Sequence, residues 1–194
     1  MRLTLMTILA GLLAGLALAC ATATPYRVSN YFIDPDLRTL EGKTVAVLPF
    51  SDAADCGSGR DEVTDQANLQ LGALRLFHLV ERLRVQELFN EQDFDPDRLD
   101  ETTAVSIGRM LGAHGVLLGT ITDYEKGRVG ISMRLVAVET GKQLWQARDT
   151  FNSDDPKVRA LVQGRYETER LRDEPSFLAL VLCRELARTL QRAQ

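Results

Sequence analysis

The 194-residue chain carries 23 basic and 27 acidic side chains, a net charge of −4, with 45% hydrophobic and 26% charged residues. That length suits one ordinary domain with a real core, and the composition excludes both a disordered chain and a membrane-embedded one. The acidic balance argues against nucleic-acid binding, which depends on Lys and Arg neutralising phosphates.

Met1 to Ala19 has Arg2, then an uncharged run rich in Leu and Ala, and ends in small residues, the pattern of a secretory signal peptide. As a transmembrane helix it is marginal, because Thr4 and Thr7 interrupt a span that needs about 20 apolar residues. Leu16-Ala17-Leu18-Ala19-Cys20 resembles the lipobox of bacterial lipoproteins, in which the cysteine is lipidated and becomes the new N-terminus, although Ala17 stands where Leu is usual. Ala17-Leu18-Ala19 also reads as an Ala-x-Ala site for ordinary signal peptidase, and an uncleaved anchor is a third reading. The resemblance implies an acyl anchor at Cys20. It also implies the periplasmic face of the outer membrane, since Ala21 follows where an Asp would mark inner-membrane retention. Without residues 1–19 the chain keeps 22 basic and 27 acidic side chains, a net charge of −5, so attachment is expected from acyl chains and not from attraction to anionic lipid.

Cys56 and Cys183 remain, an even number for an oxidising compartment, and a disulfide between them is one reading. The other places Cys183 on the buried face of a helix as a small hydrophobe, in line with Ala179, Leu186 and Leu190.

Residues 20–40 contain Pro25 and Pro35 without a helical rhythm and read as a lipidated tether, with Tyr31, Phe32 and Ile33 packing on the domain or on a neighbour. A single domain is expected over 41–194. Thr44 to Phe50 is a near-continuous apolar run, the mark of a strand buried on both faces, which Pro49 should end. A loop from Ser51 to Arg60 leads to a helix over 61–76 with Val63, Ala67, Leu71 and Leu74 on one stripe, and Asp61 and Glu62 suit its positive N-terminus. A short strand over 77–81, a helix over 84–91, a turn at Phe94-Asp95-Pro96-Asp97 and a helix over 103–111 closed by Gly112 follow.

Residues 114–151 read as an antiparallel three-strand meander, with Gly127 and Gly141 supplying the left-handed turns that short hairpin loops need. Val129, Ile131, Met133 and Leu135 alternate with polar or small residues. Trp145, Ala147 and Phe151 keep the same rhythm, with Asp149 as the exception, so one face should be buried. A charged helix is expected from Pro156 to about Thr168 and an apolar one from Pro175, joined by a solvated helix end over 165–174. The class is α/β (α+β), a mixed sheet with the meander packed against helices.

Thr44-Val45-Ala46-Val47-Leu48-Pro49-Phe50, Leu76 to Arg82 with Glu91-Gln92, Leu111 to Ile121, and Arg134 to Lys142 with Trp145 resemble, in that order, the periplasmic domain of the curli-secretion (CsgG-like) lipoprotein family. The same domain is similar to the lipoprotein of Pel exopolysaccharide export, to lipoprotein activators of penicillin-binding proteins and to the N-terminal domain of TolB. The resemblance covers about residues 43–151. It implies a non-enzymatic domain that self-assembles, as in a ring, or docks other envelope proteins in an export or assembly apparatus. A second implied role is activation of a penicillin-binding protein. Curli-type members cross the outer membrane with long hairpins, and the sequence has no added pair of the ten-residue alternating segments that a membrane barrel needs, so a collar or adaptor is expected instead of a pore.

Enzymatic readings have few parts. His78 and His114 are the only histidines, both expected to be structural, and no His, Cys or carboxylate cluster has metal-ligand spacing, so no cofactor is expected. Gly57, Ser58, Gly59 and Arg60 lie between a buried strand and a helix N-terminus, where backbone N–H groups can meet an anion. The segment lacks the Gly-Lys-Ser/Thr ending of a P-loop, and no base accompanies Cys56. A small-ligand binder using the 51–60 loop is therefore a third functional reading.

Overall fold

The computed structural model describes residues 26–57 and 59–193. In chain order it forms β1 Tyr31–Ile33, β2 Thr44–Val47, β3 Ser51–Asp52, α1 Gly59–Leu74, β4 His78–Leu79, α2 Arg82–Gln92, α3 Glu101–Met110, β5 Gly115–Glu125, β6 Arg128–Ala137, β7 Gln143–Asn152, α4 Pro156–Arg159, α5 Gly164–Asp173 and α6 Pro175–Arg188. The signal segment and Cys20 lie outside the described residues. No helix among the described residues is long and apolar enough to cross a membrane.

The meander forms as its turn glycines dictate, with Gly127 at φ 76° and Gly141 at φ 69°. The sheet runs β1-β7-β6-β5-β2-β4, antiparallel from β1 to β5 and parallel where β2 joins β5 and β4. Pro49 has no N–H for the ladder and interrupts it after Val47, but pairing with β5 resumes at β3, Ser51 opposite Thr120.

Residues expected to belong to the tether are instead part of the domain. Tyr31, Phe32 and Ile33 pair with Ala147, Gln146 and Trp145 as a new edge strand, while Val28, Leu37 and Leu40 are buried. The charged helix expected over 156–168 is two, divided before Gly164 at φ 86°. The expected solvated end over 165–174 is α5, anchored by the buried Leu171 and by Arg170, whose guanidinium stacks 4.1 Å from the Phe177 ring.

Both faces of the sheet carry core. On one, Val129, Ile131, Met133, Leu135, Trp145 and Phe151 pack with the apolar sides of α1 and α6. Trp145 donates its indole N–H to Thr189 Oγ1 at 2.9 Å, and that hydroxyl donates to the Leu186 carbonyl at 2.7 Å, fastening the C-terminal segment to the meander. The opposite face is covered by α2 and α3 only at one end, where Ala46, Leu48, Val116, Leu118, Val136 and Val138 are buried with Val85, Phe89, Ala104 and Ile107. The single buried face expected for the meander is thus one full face and part of the other. Close approach of α3 depends on Gly108, whose added Cβ would stand 2.6 Å from Val138 Cγ2 and 2.7 Å from Val116 Cγ1.

Asp149, the polar exception in the meander's apolar rhythm, sits opposite Ile131 on the fully covered face. Its carboxylate accepts the Tyr26 hydroxyl at 2.5 Å, and the Tyr26 ring meets Phe151 edge-on with centroids 4.9 Å apart. A residue 123 positions away in sequence supplies the partner that a partly buried carboxylate requires. Burial, and then the bond to Asp149, raise the Tyr26 phenol well above its ordinary range.

Candidate functional site

Several donors of the 51–60 loop are bound within the protein. The Asp52 carboxylate accepts the backbone N–H of Ala54 at 3.2 Å and of Cys56 at 2.8 Å. Burial opposes ionisation of Asp52, but these N–H groups and nearby Arg60 outweigh it and hold the carboxyl below its usual range. Arg60 donates to Asp97 at 2.6 Å, and the Gly59 N–H donates to the Cys56 carbonyl at 3.1 Å. Gly57 turns the chain at φ 57°, and Ser58 lies outside the described residues.

Cys56 and Cys183 are separate free thiols. Burial, followed by the hydrogen bond and charge of Asp52, pushes the Cys56 thiol up to about 12, the opposite of what a nucleophile needs. Cys183 is fully buried on α6 in the core, where burial raises its thiol further. His78 and His114 are exposed at strand ends, and no group of three or more His, Cys, Asp or Glu among the described residues is placed to hold a metal.

Among the described residues, half of one sheet face is left bare of helices. Beyond Leu118 and Val136, where α2 and α3 end their cover, Thr120, Ser132, Arg134, Gln146, Arg148 and Thr150 project on that face, with Ser132 opposite Arg148 and Arg134 opposite Gln146. Two concavities mark it. One of about 520 Å³ is lined by Ser29, Asn30, Thr122, Ser132, Arg148 and Thr150 among others, and one of about 130 Å³ runs between Arg134, Gln146 and Thr120 and the apolar border of Pro96 and Leu99. Neither Arg134 nor Arg148 has a side-chain hydrogen bond, ion pair or ring contact to a described residue. Strand alternation placed these arginines on the polar side, but nothing in that alternation separates a solvated face from a docking face. A third groove, about 540 Å³ at the Gly141 end, has Lys43, Arg109 and His114 on its rim, beside a Lys142 already held by Asp34 at 2.8 Å and Asp36 at 2.7 Å.

The fold has relatives among solved structures. The PelC dodecamer from Paraburkholderia phytofirmans superposes with a TM-score of 0.55 at 18% identity, covering 83% of this chain and 94% of that one. The NMR structure of Escherichia coli LpoB gives 0.51 at 20% identity over 68% and 73% of the two chains. The lipoprotein GNA1162 from Neisseria meningitidis gives 0.50 at 18% identity over 57% and 80%. No curated protein sequence matches the chain. The profile of the curli production assembly/transport component CsgG matches residues 38–152, which takes in every strand from β2 to β7 and the three helices between them, and the chain belongs to that family.

Proposed function

We propose that this protein is a non-enzymatic envelope lipoprotein, anchored through Cys20 to the periplasmic face of the outer membrane, that assembles with copies of itself and docks other proteins of an export apparatus. The observation that carries the reading is the family match over 38–152, joined to a fold shared over most of both chains with a protein that forms a dodecamer. The open sheet face, where Arg134 and Arg148 have no partner among the described residues, supports a contact role.

Sedimentation of the full chain in detergent tests the assembly, with a discrete oligomer expected and a monomer at every concentration refuting it. Palmitate labelling of wild type and Cys20→Ala tests the anchor, with label lost in the variant. A second reading, activation of a penicillin-binding protein, draws support from the LpoB fold. It would be favoured by a monomer that captures a purified synthase and raises its rate.

A further inference from the structure

We propose that the bare half of the sheet receives an extended acidic segment of a partner protein, with carboxylates on alternate residues paired to Arg134 and Arg148. This names the partner chemistry of the docking role and rests on that reading.

Arg134 is half-buried beside Leu99 and Pro96, and its guanidinium has no counter-charge among the described residues. Arg148 is exposed on the neighbouring strand, likewise uncommitted. Of the acids near this face, Asp149 lines the larger concavity and accepts the Tyr26 hydroxyl, and Asp123 pairs with Arg128 at 2.9 Å. In a chain of net charge −4 the face presents two arginines that have no ionic partner among the described residues.

Spacing selects an extended strand. Arg134 pairs with Gln146, so Arg148 is its diagonal neighbour, and such neighbours stand roughly 7–8 Å apart. Same-side residues of an extended peptide repeat every two residues at about 3.3–3.4 Å each, close to that separation. Guanidinium forks match carboxylates in a bidentate manner. Ser132, Gln146 and Thr150 between and beside the arginines offer donors and acceptors to a peptide backbone. No aromatic ring lines either concavity, so the face lacks the stacking platform on which sugar rings rest.

The test measures binding of the full chain in detergent to a fluorescein-labelled decapeptide alternating Glu and Thr, by anisotropy at low and at 0.3 M salt. Wild type should bind the peptide, lose affinity with salt, and bind a Lys-Thr peptide at least tenfold less well. Arg134→Gln with Arg148→Gln should weaken Glu-Thr binding at least tenfold while leaving the melting temperature unchanged, and Arg134→Lys with Arg148→Lys should recover part of it. Equal binding by the Gln variant overturns the proposal, and so does tighter binding of a polyuronate than of the peptide. Loss of the oligomer in Arg134→Glu with Arg148→Glu, without peptide binding by wild type, would instead assign the face to a second copy. Failure of the envelope-assembly reading appears separately, as a wild-type monomer that nonetheless binds peptide.

Discussion

Replacing Thr189 by Val probes how the C-terminal helix is fastened to the meander. Trp145 and Thr189 are both 0% exposed, and the Thr189 hydroxyl takes the indole N–H while donating to Leu186. Valine keeps the volume and leaves the indole N–H without a partner in a site that water does not reach. Leaving a buried donor unsatisfied costs about 1–3 kcal/mol. For a chain of this size that is a fall in melting temperature of roughly 2–12 °C. Thr189→Ser keeps the hydroxyl and removes one methyl, worth about 0.8 kcal/mol by burial. Serine should therefore be the milder change, although it is the smaller side chain. Urea unfolding followed by fluorescence is direct, because Trp145 is the single tryptophan. Adding Trp145→Phe, with all four variants followed by circular dichroism because two lack the tryptophan, closes a double-mutant cycle in which most of the cost of Val should vanish. If Val is as stable as wild type and Ser less so, the site is held by packing alone and the hydrogen-bond argument fails.

Three further outcomes follow from the packing and the charges. Gly108→Ala drives a methyl between Val116 and Val138 and should cost about 1–3 kcal/mol by overpacking, measurable by denaturant titration; Ser106→Ala, half-buried on the same helix, should change little, and equal effects would refute the close approach. Burial raises the phenols of Tyr26, aided by Asp149, and of Tyr124, to about 12, aided by Glu62. The folded chain then holds protons that the unfolded one releases near pH 10, so stability is intact below about pH 10 and falls as pH rises beyond it. Tyr26→Phe should flatten that alkaline loss, and an unchanged slope would count against it. In a truncated chain starting at Ala21, which lacks Cys20, thiol titration should find two groups in denaturant and slow reaction when folded, whereas none in denaturant would establish a Cys56–Cys183 bond.

Much of the fold is local and was legible in the residues. Gly127 and Gly141 demand left-handed turns, the alternation from Val129 to Leu135 demands a half-buried strand, and Gly112, at φ 67°, ends α3 where a glycine after an apolar stripe should. These follow from backbone sterics and side-chain period, which act over a few residues whatever lies across the molecule.

The tertiary structure alone decided what those rules do not reach. It made an edge strand of Tyr31–Ile33, because the open side of β7 offered unpaired N–H and C=O groups. It explained Asp149 through Tyr26, and it showed Asp52 and Asp97 bonded to the Cys56 N–H and to Arg60 around the 51–60 loop. It also chose which half of a sheet face stays bare, since that depends on where α2 and α3 stop and not on any residue of the strands themselves. Hydrophobic period tells which side of a strand is apolar, but a polar side is the same pattern whether water or a partner covers it. The placement of Arg134 and Arg148, without partners among the described residues, on neighbouring strands is what the proposed docking role rests on.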